Sequence, residues 1–175
     1  DPYAPYIDAV FGGRNGHHDF IPYALADTSP LAGEPLAEVF VRLLGLPVSR
    51  FGLNEILDLL ASPALADAAG LDAASLERLH GWLQSAGARW GLDAAHRAQH
   101  QAPRDDAYTW AFALDRLLLG HASGSDGDIA GVAPWTALEG GALSALDALI
   151  RLLRHLARYQ RVLGDLSLAE YQAWV

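Results

Sequence analysis

Seven histidines, 21 carboxylates and 12 basic residues, every one of them arginine, are what this 175-residue chain has for polar chemistry. Their spacing sorts them. His17-His18-Asp19 holds three metal-ligand side chains in a row, but adjacent residues rarely converge on one ion, and the helical His-Glu-x-x-His spacing is absent. A surface loop is the favoured reading and a small metal-dependent enzyme the alternative. Asp126-Gly127-Asp128 lacks the closing Glu of a twelve-residue calcium loop, so a plain turn is favoured. Gly12-Gly13-Arg14-Asn15-Gly16 follows no strand, which makes it a helix stop rather than an anion cradle. A standard phosphate-binding loop requires Lys, and the chain has none. The Gly-x-Ser-x-Gly elbow is also missing. His80 and His155 have apolar helical neighbours and read as packed or surface residues. No two carboxylates are marked by spacing as an acid and base pair. Catalytic, cofactor-binding and metal residues are therefore all assigned as none.

One pattern does suggest a contact surface. Arg151, Arg154, Arg158 and Arg161 recur at intervals of three and four, which places them on one stripe of a helix. From Gly141 onward the four Arg outweigh Asp147, Asp165 and Glu170, for a net charge of +1 against -10 in the rest of the chain. The plain reading is a solvated face with Asp147 pairing Arg151. The sharper reading is a surface facing nucleic-acid phosphates or an acidic partner. Arg89 and Trp90 offer planes on which bases stack, although a Trp inside a helical core is favoured.

The elements that carry these residues are helices. Tyr6 to Phe11 reads as a short helical turn. Over Glu34 to Leu44, the residues Leu36, Val39, Phe40, Leu43 and Leu44 share one face, with Gly45 and Pro47 ending the run. Further helices are expected at Leu53 to Ala61, after Ser62-Pro63, and at Ala73 to Ala86 behind an Asp72 cap. In that last one Leu76, Leu79, His80 and Leu83 line one side. Asp93 caps a short turn through Ala98. Thr109 to Leu119 carries Trp110, Leu114, Leu117 and Leu118 on one side, with Gly120 as its stop. His121 to Ala133, which contains Ser123-Gly124-Ser125-Asp126-Gly127-Asp128, is the loop expected to be mobile. The longest helix is expected from about Leu138 to Leu163, roughly 39 Å, with a capping box at Ser167 to Glu170 opening one more. Phe20 to Leu25 is the single strand-like run, and Pro22 restricts it to an edge or an extended connection.

Composition sets the class. A length of 175 residues suits one domain. With 51% hydrophobic and 19% charged residues the chain is no disordered segment. The absence of Cys excludes a disulfide scaffold and a cysteine nucleophile and fits a reducing, cytoplasmic setting. The net charge of -9 argues against a free-standing nucleic-acid binder. The most apolar tract, Ala142 to Leu163, carries five charged residues, too many for a membrane span. The missing Met and the abrupt end at Tyr171, Trp174 and Val175 suggest a piece of a larger protein. The expected fold is mainly α: an irregular multi-helix domain over residues 1–175, with at most a short extended segment near 21–25.

Five stretches occur in a telling order: Tyr3-Ala4-Pro5-Tyr6-Ile7-Asp8-Ala9-Val10-Phe11, Ile21-Pro22-Tyr23-Ala24-Leu25-Ala26-Asp27, Leu46-Pro47-Val48-Ser49-Arg50-Phe51, Gly87-Ala88-Arg89-Trp90-Gly91-Leu92-Asp93, and the run from Thr109-Trp110 through Leu119-Gly120. In sequence and spacing they resemble the RecC family, the gamma subunit of exodeoxyribonuclease V. The resemblance covers Asp1 to Gly120 best, and the remainder fits more loosely. It implies a helicase-like subunit without working ATPase motifs, joined to a helicase-nuclease and a second helicase subunit at DNA double-strand breaks. Such a subunit splits the duplex, guides single strands and helps recognise the Chi sequence, while its partners hydrolyse ATP and cut DNA. Ile21-Pro22-Tyr23 resembles the lead-in to the helical insertion of a superfamily-1 motor. Here His-His-Asp-Phe precedes it where the family pattern has Gly, so that motif is partial. No family catalytic or Chi-reading residue carries over to a position of this chain.

The expected function is thus a non-catalytic, helicase-like scaffold in a DNA-repair and recombination nuclease complex. Its expected partners are the two sister subunits and, through the full-length subunit, DNA, with no membrane contact and no cofactor. The alternatives are a helical protein-interaction module unrelated to DNA and the metal-dependent enzyme built on His17, His18 and Asp19.

Overall fold

The computed structural model describes residues 4–11, 34–138 and 143–164. The glycine cluster at 12–16, His17 to Asp19, the extended segment at 21–25, the turn at 27–30 and the capping box at 167–170 lie outside the described residues. Within them the fold is mainly α, as expected. The order is α1 (Ala4–Phe11), α2 (Pro35–Leu44), a 3₁₀ turn (Leu46–Val48), α3 (Leu53–Leu60), α4 (Pro63–Ala69), α5 (Ala73–Ala86), α6 (Ala94–Gln99), α7 (Trp110–Ser123) and α8 (Leu143–Gly164). Among the described residues the only β pairing is an isolated bridge between Ile129 and Val132.

Local chemistry starts and stops these helices. The Asp72 carboxylate accepts from Ser75 N at 2.8 Å to open α5, and Asp93 accepts from His96 N at 2.8 Å to open α6. Each satisfies an amide that the first helical turn leaves unpaired. Ser62 behaves differently from the expected cap. Its hydroxyl donates back to Leu59 O at 2.7 Å, so it closes α3, and α4 begins on Pro63 without a side-chain cap.

The helix after Thr109 runs past its expected stop. Gly120 lies inside α7, which continues to Ser123 and ends at Gly124. Gly120 is there for closeness: a Cβ at that position would lie 1.9 Å from Trp135 O. The buried stripe of α7 is Trp110, Ala113, Leu117 and Gly120, while Leu118 is 45% exposed. On α5, Leu79 and Leu83 are buried and His80 is exposed. On α2 the expected apolar face splits: Val39 is buried, yet Leu36 and Phe40 are 69% and 54% exposed. Helix α8 begins later than expected, at Leu143, and Leu138 is buried outside it.

Three connections tie the helices together. Leu53 N donates to Arg89 O, Gly91 N to Arg50 O, Arg89 N to Tyr108 O and Trp110 N to Gly91 O, each at 2.8–2.9 Å. The segments around residues 50, 90 and 109 thereby share one set of backbone bonds. At its centre Phe51 is fully buried at φ 54, and Trp110 Nε1 donates to Phe51 O at 2.8 Å. Ser49 Oγ accepts from Phe51 N and donates to Glu55 Oε1, which pins the turn. One hydrophobic cluster, including Leu46, Phe51, Ile56, Leu79, Leu83, Trp110, Leu117, Leu149 and Leu156, joins α3, α5, α7 and α8 around this junction.

Candidate functional site

Helix α8 is built with two opposed faces. Ala145, Leu146, Leu149, Leu153 and Leu156 are buried, and α8 packs them against the 3₁₀ turn, α5 and α2. At ~100° per residue, Arg151, Arg154, Arg158 and Arg161 fall within a sector of about 80° on the side away from that seam. All four are exposed, so the structure brings the sequence-predicted stripe together on one solvent-facing surface. Arg151 pairs with Asp147 one turn earlier, as expected of a solvated i, i+4 pair. Arg161 Nε donates to Ala157 O at 3.3 Å. Arg154 and Arg158 have no hydrogen bond or ion pair with the described residues. His155 and Tyr159 are exposed along one flank of the stripe, Tyr159 by 53%. The stripe is therefore a basic face bordered on one side by rings.

Arg89 and Trp90 do not present the stacking pair that their adjacency suggests. Arg89 Nη1 donates to Ala88 O and Gln84 O, which ties it to the end of α5. Trp90 is half-buried in the connection between α5 and α6, outside any helix, and so is not the core Trp expected; that place is Trp110's. The Arg97 guanidinium sits 4.7 Å from the centre of the Trp90 ring, and that of Arg50 5.9 Å. Arg97 is itself 9% exposed, with Nη2 donating to Trp90 O and Nη1 to Asp105 O. A buried cation held by carbonyl dipoles and a ring face keeps this connection in place.

Next to it lies the least expected feature. His96, on α6, is 4% exposed, and neither ring nitrogen has a hydrogen-bond partner. Its ring packs edge-on to Phe51 at 5.1 Å and tilted against His100 at 4.7 Å. Burial, helped by the charge of His100 and opposed by Asp93, holds its pKa below the usual histidine value of 6.5. His96 forms part of the wall of a cavity of about 330 Å³ between α6 and the second half of α8, and Arg161 stands on the opposite wall. Asp93 marks the start of α6 in the sequence, but the burial of His96 depends on tertiary packing, against Phe51 among others, that no local pattern encodes.

The remaining candidates resolve into structure. Asp126 Oδ1 accepts from Thr136 Oγ1 and Asp128 Oδ1 from Gly131 N, both at 2.8 Å, so the two carboxylates tie the α7–α8 connection. His155 lies on α8 beside the arginines. Among the described residues no group of three or more His, Cys, Asp or Glu is placed to hold a metal ion, and no helix is long and apolar enough to cross a membrane.

Comparison with known proteins adds a family. The family model for the fourth domain of RecBCD enzyme subunit RecC matches residues 33–175. RecBCD enzyme subunit RecC of Escherichia coli (strain K12) is 35% identical over 166 residues, covering 94% of this chain and 15% of that protein. The RecC subunit of Mycobacterium tuberculosis is 29% identical over 172 residues, covering 95% of this chain and 16% of that protein. That of Buchnera aphidicola subsp. Acyrthosiphon pisum is 27% identical over 172 residues, covering 98% and 16%. The chain thus spans about 15% of the length of these curated relatives.

Proposed function

The chain belongs to the RecC family, and from that premise we propose that it is a non-catalytic structural domain of a RecC subunit within a RecBCD-type exodeoxyribonuclease V. In this reading residues 1–175 form one helical domain that resembles the helical insertion of superfamily-1 helicases. It works in the cytoplasm, holds channel walls and offers surfaces to the helicase-nuclease and helicase sister subunits. The exposed arginine face of α8 meets DNA phosphates or an acidic surface of a sister subunit. The observation that carries this is the opposition of the two faces of α8: a leucine seam locked into the core, and four arginines outside it, two without a partner among the described residues. A solvated face with no contact to make has no need of four like charges within three turns, since each repels its neighbours.

The test uses the full-length subunit. Replacing Arg151, Arg154, Arg158 and Arg161 together by Gln keeps the helix and removes the charge. The expected result is normal folding with loss of DNA-end binding by the assembled complex or loss of co-purification with the sister subunits. A variant that assembles, binds ends and processes them like the parent overturns the proposal for this face.

A further inference from the structure

We propose that the cavity between α6 and α8 receives an unstacked nucleobase of a single strand whose phosphates lie along the α8 arginines. The inference rests on the assignment of α8 to DNA and names what the neighbouring cavity binds. Two observations independent of the arginine stripe carry it. The first is His96. A neutral imidazole offers one donor and one acceptor, and burying both without partners is costly in a folded protein. His96 is buried in the cavity wall with both nitrogens unpaired. A ligand edge that reaches His96 from the cavity would give these nitrogens the partners they lack.

The second is the chemistry of the remaining wall. Gln99 and Gln160 each add an amide donor and acceptor, and Leu92 and Ala157 add apolar surface. Arg161 is the single cation in the wall, and the Asp93 carboxylate stands in the same wall. A free phosphate is poorly matched, because it would meet that carboxylate and only one guanidinium. A metal ion is poorly matched too, since His96 and Asp93 are its only ligand types there. The depressed pKa of His96 keeps the ring neutral at physiological pH, which again suits an uncharged ligand. A planar ring with donors and acceptors along its edge and an apolar face matches the amides, the imidazole and the apolar surface of the wall. Bases of single strands, splayed out and stacked on Arg planes and hydrogen-bonded at their edges, are such rings. Arg161 belongs to both the cavity and the stripe, so a strand following the stripe passes the cavity mouth.

The experiment measures binding of the full-length subunit to a single-stranded oligonucleotide and to a set carrying one abasic site at each position in turn. The parent is expected to lose about five-fold or more in affinity at one position, the scale of one stacked base. His96→Phe removes both nitrogens and keeps the ring. Ala157→Leu narrows the cavity while keeping His96 and all four arginines in the chain, and serves if the first variant folds poorly. Both are expected to bring the abasic penalty close to one-fold while the dependence of affinity on salt is unchanged. A parent with no abasic penalty, or variants that keep it in full, overturns the cavity inference. A free nucleoside that fills the site as well as the strand does overturns the strand assignment. Failure of the α8 reading looks different: substituting the arginines then leaves the salt dependence unchanged.

Discussion

At the scale of single residues, the sharpest constraint is Gly120. Its missing Cβ lets the backbone of α7 approach that of Trp135: a Cβ added there would meet the main-chain O, C and N of Trp135, the farthest of the three at 2.9 Å. Backbone cannot rotate aside as a side-chain tip can. Gly120→Ala is therefore expected to destabilise by about 3 kcal/mol or more despite Ala's better helix propensity, read as a drop in the urea midpoint. Gly81, also in a helix but with nothing near its would-be Cβ, is the control, and Gly81→Ala is expected to raise stability by up to ~1 kcal/mol. His96 gives a prediction in pH. Its folded pKa is lowered, chiefly by burial, so between its folded and unfolded values the unfolded chain binds more protons than the folded one. Stability is then full above about 6.5 and falls as pH drops below that toward the folded value. Denaturation midpoints measured from pH 7.5 to 5 should decline in the parent and decline less steeply in His96→Phe. Equal slopes would mean that the ring ionises as freely folded as unfolded.

At the scale of elements, caps and seams differ in how much they matter. Thr109 is fully buried; its hydroxyl donates to Asp106 O at 2.7 Å and accepts from Phe112 N at 3.2 Å. Thr109→Ala removes the cap on the Phe112 amide, while Asp106 O still accepts from Thr109 N, a loss of about 1 kcal/mol. Thr109→Ser keeps both bonds and is expected to recover most of it in thermal melts. Asp72→Ala, at an exposed cap of α5, is expected to cost less. The Asp72 and Asp93 caps were legible in the sequence because Asp before a helical period is a local signal, and α5 and α6 start where it says; Thr109 was read as the first helical residue and is the cap instead. The leucine seam and arginine stripe of α8 were legible for the same reason: both are periodic within one helix. Local signals failed where a residue's role is set by something distant. Gly120 reads as a helix stop, but its meaning lies in Trp135. Trp90 reads as a core ring, but it lies in a connection held by Arg97. His96 has no distinguishing pattern in sequence, and its ring is packed against Phe51, distant in the chain, and His100. Leu36 and Phe40 follow a helical period, yet periodicity does not say what lies opposite them.

At the scale of the whole molecule, charge is separated. The chain carries -9 overall while α8 presents four exposed arginines on one stripe, so the net charge opposes nucleic acid and the stripe is a local exception to it. That separation makes a quantitative demand on binding. Each phosphate neutralised on a single strand lowers the logarithm of affinity by about 0.7 per decade of salt, because counterions are released. The four arginines do not contribute equally. Arg151 already faces Asp147, so a phosphate arriving there competes with a carboxylate, and Arg161 leans back to Ala157 O. Arg154 and Arg158, without partners among the described residues, should carry most of the effect. In the full-length subunit, Arg154→Gln with Arg158→Gln is expected to reduce the salt slope for single-stranded DNA by about 1.4, with Arg151→Gln changing it by less than half of that. Arg42→Gln is the control: Arg42 lies on α2 and pairs with Glu38 at 2.7 Å, and its loss should leave the slope unchanged. If the double variant keeps the parental slope but no longer co-purifies with a sister subunit, the face meets an acidic protein surface and not DNA. The fold would stand, and the same two side chains would be matched to carboxylates where phosphates had been expected.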